Sequence, residues 1–176
     1  MKNRLFIWVV VLFVQLAHGA FNTSITGGAA MAIGPGSSDW NPGYGANFTL
    51  LAKPVKYFGI GGDINYDLWI KHSKSEDSPN QRSARHYFSL SLLLRTFIPF
   101  SEEVNLFFEA GDGIYLKISR ITDKMSHTRN YFDPLNGVGG GWGLTIKVVE
   151  VRNTFTYLVG KSVRSKWISL SLGISF

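Results

Sequence analysis

Apolar residues recur at every second position through most of this chain, and that period belongs to strands with two unlike faces. "WISLSLGISF" is the clearest case: Ile168, Leu170, Leu172, Ile174 and Phe176 alternate with Ser169, Ser171, Gly173 and Ser175. The habit repeats in "GYGANFTLLA", "FGIGGDINYDLWI", "HYFSLSLLLRTF", "VNLFFEAGDGIYLKI", "GVGGGWGLTIKVV" and "VRNTFTYLVG", and a weaker strand runs from about 22 to 33. Helical spacing hardly occurs after the first twenty residues. The pattern predicts eight strands in an all-β fold, and 176 residues suit one domain rather than two.

The first segment follows a different rule. "MKNRLFIWVVVLFVQLAHGA" places Lys2 and Arg4 before an unbroken apolar run from Leu5 to Val14, then small Ala17 and Gly19. This is the pattern of a secretory signal peptide over 1–19, leaving a barrel domain over 20–176. The apolar run is about half the ~20 residues that a spanning helix needs. Losing Lys2 and Arg4 lowers the formal charge from +6 to +4, too mild a balance to name a partner. With no cysteine, an exported chain gains nothing from disulfides.

The connections alternate in length. "KPVKY", "IPFSEE" and about two residues near Glu150 join strands two to three, four to five and six to seven. "GPGSSDWNP", 71–85, 120–136 and "KSVRSK" make the other joins. Short turns at one end and longer loops at the other describe an up-and-down meander. Such a meander closes in water or in a membrane with opposite faces outward. A soluble lipocalin-like barrel, built to bind an apolar ligand, needs many Lys and Glu on its polar phase. Here that phase is mostly Ser, Gly, Thr and Asn, which suits a narrow lumen. The apolar phase is broad and aromatic, like a lipid-facing band. The expected fold is therefore an eight-stranded antiparallel up-and-down transmembrane β-barrel. In hydrocarbon every backbone N–H and C=O needs a partner, so the last strand must pair with the first.

"WISLSLGISF" resembles the terminal signature of bacterial outer-membrane barrels, and residues 20–176 resemble the small OmpA/OmpX-type barrels. "RTFIPFSEEVNLFFEAGDGIYL" is similar to the stretch of that family in which a strand, a Pro-containing periplasmic turn and a Gly-rich strand follow one another. The resemblance implies a Gram-negative cell envelope, insertion by an assembly machinery that reads Ile168, Leu170, Leu172, Ile174 and Phe176, and contact with outer-membrane lipid. Asp112 departs from the pattern, since alternation puts it on the lipid face between Ala110 and Ile114. A bulge at Gly111 and Gly113, or a place near an interface, would relieve it.

Alternation sends Asp63, Asp67, Glu109, Arg95, Lys117, Lys147 and Arg152 inward. Charges in a narrow lumen pair, because an unpaired buried charge is costly. The expectation is an ion-pair plug rather than a proton or ion path. "DINYD" opens like a calcium loop, but the sixth and twelfth places hold Leu68 and Lys74 instead of Gly and Glu. "GVGGGWG" lacks the GK[ST] of a phosphate loop and the GxGxxG of a dinucleotide site. His72, His86 and His127 lie in or beside the long loops with Ser73, Ser89 and Ser126 nearby. None shows the His-x-Ser spacing of the lipid A deacylases, so a lipid-modifying enzyme is the weaker alternative. No cofactor, metal-ligand spacing or nucleic-acid motif is indicated. The long-loop end collects positive charge: stretch 71–85 carries +2, 120–136 carries +1, "KSVRSK" carries +3 and Asp39 subtracts one. Lipopolysaccharide phosphates would suit such an end, since Arg holds these groups bidentately, and a basic rim that only solvates the outer end fits the same charge equally well. The function expected is structural, or surface interaction and adhesion through these loops.

Overall fold

The computed structural model describes residues 20–33, 41–72, 82–122, 127–160 and 164–176. The expected signal segment 1–19 and the tips of the long connections lie outside the described residues. Eight strands follow in order: β1 (Ala20–Ala32), β2 (Gly43–Val55), β3 (Phe58–His72), β4 (Arg82–Pro99), β5 (Val104–Thr122), β6 (Thr128–Ile146), β7 (Val149–Val159) and β8 (Arg164–Ser175). Each pairs antiparallel with its neighbours in sequence, and β8 returns to β1 to close the barrel. The closing seam is complete to the last residue. Phe176 N–H donates to Thr23 C=O at 2.7 Å, and Thr23 N–H donates to Phe176 C=O at 3.1 Å. A terminal strand with its backbone fully engaged leaves no edge to solvate.

The apolar phase faces outward. Leu90 is 63 % exposed, Leu172 61 % and Phe176 67 %. A soluble barrel would bury these residues, so the lipocalin-like alternative is overturned. An exterior of contiguous Leu, Ile and Phe is the surface of a protein solvated by lipid.

Three expectations are corrected. First, parts of the expected loops are strand: 71–72 and 82–85 in one stretch, and 120–122 and 128–136 in the other. Pairing of β3 with β4 continues to His72↔Arg82, and of β5 with β6 to Thr122↔Thr128. Beyond the bilayer both faces of a strand meet water, so alternation fades while the ladder continues. Second, the β6–β7 turn falls at Lys147 and Val148 rather than near Glu150. Lys147 adopts φ 54°, a left-handed turn conformation. Third, Asp112 sits on no bulge. It lies opposite Leu92 on β4 and Val138 on β6 in an unbroken register. Its strand neighbours on the same face are Ala110 and Ile114, so apolar residues surround it and it lies within the band. The β2–β3 ladder, by contrast, shifts register between Ala52 and Val55.

Candidate functional site

The lumen is layered, and the layers can be followed along two strands. From the short-turn end, the inward positions of β4 run Phe97, Arg95, Leu93, Ser91, Ser89, Tyr87, Arg85. Those of β5 run Phe107, Glu109, Gly111, Gly113, Tyr115, Lys117. On both strands an aromatic residue, a charge, small residues (after Leu93 on β4), a second aromatic and a second charge succeed one another.

The lowest layer is formed by the Phe97 and Phe107 rings, which cluster with Leu51 and, one step higher on β4, Leu93. Gly143, opposite Phe107 on β6, makes room for that ring, since any Cβ there would collide with it. Above the rings lies a network of five buried charges. Arg95 donates from Nε and Nη2 to Glu109 Oε2 at 3.1 and 2.8 Å. It also donates from Nη1 and Nη2 to Glu150 at 3.1 and 3.2 Å. Its guanidinium carbon stands 3.9 Å from the centre of the Phe107 ring. Arg152 donates from Nε to the other oxygen of Glu109, and from Nη2 to Asp63 Oδ2 at 3.1 Å. Asp63 further accepts from Thr49 Oγ1 at 2.6 Å and Asn47 Nδ2 at 2.7 Å. The two arginines are thus bridged by Glu109 and flanked by Glu150 and Asp63. Every carboxylate has a cation, the condition under which buried charges are tolerated.

Above the network is a cavity of about 80 Å³, bordered by Asn47, Asn65, Asp67, Ser91, Thr154 and Ser169. It has room for a few waters. An aromatic layer lies beyond it toward the long loops. Trp167 packs against Tyr87 at 5.1 Å, Trp69 at 5.8 Å and Tyr115 at 6.4 Å between ring centroids, with Leu135 and Leu158 filling the cluster. Gly137 on β6 yields the space that Tyr115 occupies. The interior is therefore narrowed twice, by charges below and rings above.

Of the residues expected to line the lumen, Asp63, Arg95, Glu109 and Arg152 meet in one network. Lys117 is inside but above the aromatic layer, 3.6 Å from Asp133. Asp67 borders the cavity and has no hydrogen bond or ion pair to a described residue. Lys147 does not enter the lumen: it is in the β6–β7 turn, 3.4 Å from exposed Glu103. The turn ends the alternation on which its inward assignment rested. The same misplaced turn hid Glu150, a central member of the network. The aromatic layer was also missed, although Trp69, Tyr87, Tyr115 and Trp167 all fall on the polar phase near the long-loop end.

The histidine and serine candidates do not converge where they can be followed. His86 Nδ1 lies 2.9 Å from Tyr66 Oη, and Tyr66 packs beside outward-facing Phe88. Ser89 is buried on the opposite face of the same strand. Ser73 and Ser126 lie outside the described residues.

A closed eight-stranded barrel with an apolar exterior and a packed polar interior defines a class, the small outer-membrane β-barrels. Solved structures of that class match the chain. Ail, the attachment invasion locus protein of Yersinia pestis, has a TM-score of 0.59 at 14 % identity, covering 90 % of this chain and 99 % of its own. Neisserial surface protein A has a TM-score of 0.54 at 11 % identity, covering 88 % and 95 %. The N-terminal β-barrel domain of Pseudomonas aeruginosa OprF has a TM-score of 0.52 at 10 % identity, covering 90 % and 99 %. At such identities the likeness is one of fold. No protein-family model matches the chain, and no curated protein is significantly similar in sequence.

Proposed function

We propose that this protein is a non-enzymatic outer-membrane barrel with a plugged lumen, acting in surface attachment through its basic outer end. The observation that carries the reading is the doubly narrowed interior. With charges and aromatic rings across the lumen, the surface available for function is the end that projects from the membrane. Lys71, Arg85, Arg120, Arg129 and Lys166 lie on the strands at that end. Ail, which shares the fold, has been crystallised with sucrose octasulfate, a heparin analogue. Sulfate groups on a glycan and phosphate groups on lipopolysaccharide present the same chemistry to lysine and arginine. The terminal strand, ending on outward Phe176, serves in this reading as the signal for barrel assembly.

Two measurements test it. In planar bilayers the purified barrel gives no steady conductance above background; large, sustained currents would refute the plug. Binding of sucrose octasulfate weakens with added salt, and Arg120→Gln, Arg129→Gln and Lys166→Gln together weaken it about tenfold, as three exposed contacts of ~0.5 kcal/mol each require. Binding unchanged by that triple substitution would refute the basic outer end as the contact surface.

A further inference from the structure

The stretch "DINYD" fails as a calcium loop because it is strand. On β3 it sets Asp63, Asn65 and Asp67 in one inward row that borders the cavity above the charge network. Asp63 is engaged by Arg152, Thr49 and Asn47. Asn65 accepts from Asn47 and donates to Asp63 at 3.1 Å. Of the three, only Asp67 has no hydrogen bond or ion pair to a described residue. Its carboxylate leans over Gly45 on β2, where any Cβ would collide with Oδ1.

The charges around this cavity do not balance. Between the Phe97 and Phe107 floor and the aromatic layer, Asp63, Asp67, Glu109 and Glu150 face Arg95 and Arg152. Lys53, at the floor over Phe97, adds an attraction to Glu150. Four carboxylates against three cations leave one negative charge in excess among the described residues. The next cations, Arg85 and Lys117, stand beyond the rings. An uncompensated charge inside a barrel set in hydrocarbon is costly, so the chamber recruits a counter-charge. A proton on Asp67 would supply one, but it would leave a second group unserved. Thr26 is 1 % exposed and borders the same cavity, and its Oγ1 has no hydrogen-bond partner among the described residues. A hard cation takes carboxylate and hydroxyl oxygens together, with waters completing its shell. The cavity of about 80 Å³ has room for an ion and a few waters.

We propose that this chamber binds one monovalent cation of sodium or potassium size, held by Asp67 and Thr26. One excess charge calls for one elementary charge. A single free carboxylate is a poor match for calcium, which takes about six to eight oxygens with carboxylates prominent among them. The ion is a structural counter-charge between the charged floor and the aromatic rings, and it completes the plug rather than passing through it.

Urea unfolding from phosphatidylcholine vesicles tests the site in sodium, potassium or tetramethylammonium chloride, at one ionic strength and mildly alkaline pH. Each sample is refolded in its own salt, so the ion need not cross the narrowed lumen. Tetramethylammonium carries its charge behind methyl groups and cannot offer it to oxygen ligands. A site half filled at ~20 mM lowers the unfolding constant about tenfold at ~200 mM, and that is the difference expected between tetramethylammonium and the better of the two metal ions. Asp67→Asn removes the excess charge at constant shape. It should unfold alike in all three salts and be no less stable than the parent in tetramethylammonium. Thr26→Val keeps the shape, loses the hydroxyl and should show a smaller salt difference than the parent. Heat-modifiable gel mobility confirms that both variants are folded. A parent equally stable in the three salts, as a protonated Asp67 would make it, overturns the proposal. So does a salt difference that persists undiminished in Asp67→Asn or in Thr26→Val.

Discussion

Removing Arg95 should injure the barrel more than removing its partner Glu150, to which it donates two hydrogen bonds. Arg95 is 1 % exposed and is the cation bonded to Glu150, which is fully buried. Arg95→Met leaves Glu109 on Arg152 but takes from Glu150 its bonded guanidinium, leaving only the longer-range attraction of Lys53, whose Nζ stands 4.0 Å over the Phe97 ring. Breaking a buried pair from one side costs about 3–5 kcal/mol. Losing the guanidinium over Phe107 adds roughly 0.5–1 kcal/mol. Glu150→Leu acts differently. The network holds two arginines against three carboxylates, so without Glu150 both arginines keep a partner and the charges balance. Its cost should stay below about 2 kcal/mol, within the range for losing hydrogen bonds to a charged group. The double variant Arg95→Met, Glu150→Leu no longer contains the stranded carboxylate and should recover at least about 2 kcal/mol over Arg95→Met alone. Urea unfolding from lipid vesicles, followed by tryptophan fluorescence and checked for reversibility, measures all three. An Arg95→Met variant within about 1 kcal/mol of the parent, or a double variant no more stable than Arg95→Met, would refute the view that paired burial holds this layer together.

Three further substitutions probe other layers. Leu172→Arg sets a charge on the lipid face near the middle of the band and should lower stability in vesicles by about 2–4 kcal/mol, whereas Leu172→Phe should be nearly silent; equal tolerance would mean that the face is not in lipid. Trp167→Ala empties the centre of the aromatic layer and should cost about 3–5 kcal/mol in the same urea assay, while bilayer conductance stays at background because the charged layer below is intact. Lys147→Gly relieves the left-handed turn of a ~1–2 kcal/mol conformational cost and gives up only an exposed ion pair worth ~0–1 kcal/mol, so the unfolding midpoint should rise or stay level; a marked fall would contradict the turn geometry.

The lipid face was legible because solvation by hydrocarbon imposes a strict period on every strand that crosses it. Asp63, Arg95, Glu109 and Arg152 could be assigned inward on that period alone, and their side chains meet. Lys147 and Glu150 show how the method fails. A turn misplaced by two or three residues swaps which residue continues the alternation, so an exposed turn lysine stood in for a buried glutamate. Asp67 faces inward by the same rule, but alternation carries no information on whether a charge finds a partner. The aromatic layer escaped notice because Tyr87, Tyr115, Trp69 and Trp167 are scattered over four strands. Only the register brings them to one level. The strand extensions beyond the membrane were unreadable for a different reason: with water on both faces, Thr128 to Asp133 have no apolar contrast to display.

The account stands or falls on which phase of each strand meets lipid, and β8 measures that most directly. In a chain without cysteine, single cysteines at Ser169, Leu170, Ser171, Leu172 and Ile174 can each carry a nitroxide in the vesicle-embedded barrel. Collision with dissolved oxygen, which concentrates in hydrocarbon, should be high at Leu170, Leu172 and Ile174 and low at Ser169 and Ser171. The opposite alternation, or uniform exposure to a water-soluble collider, would contradict an apolar exterior around a sealed polar lumen.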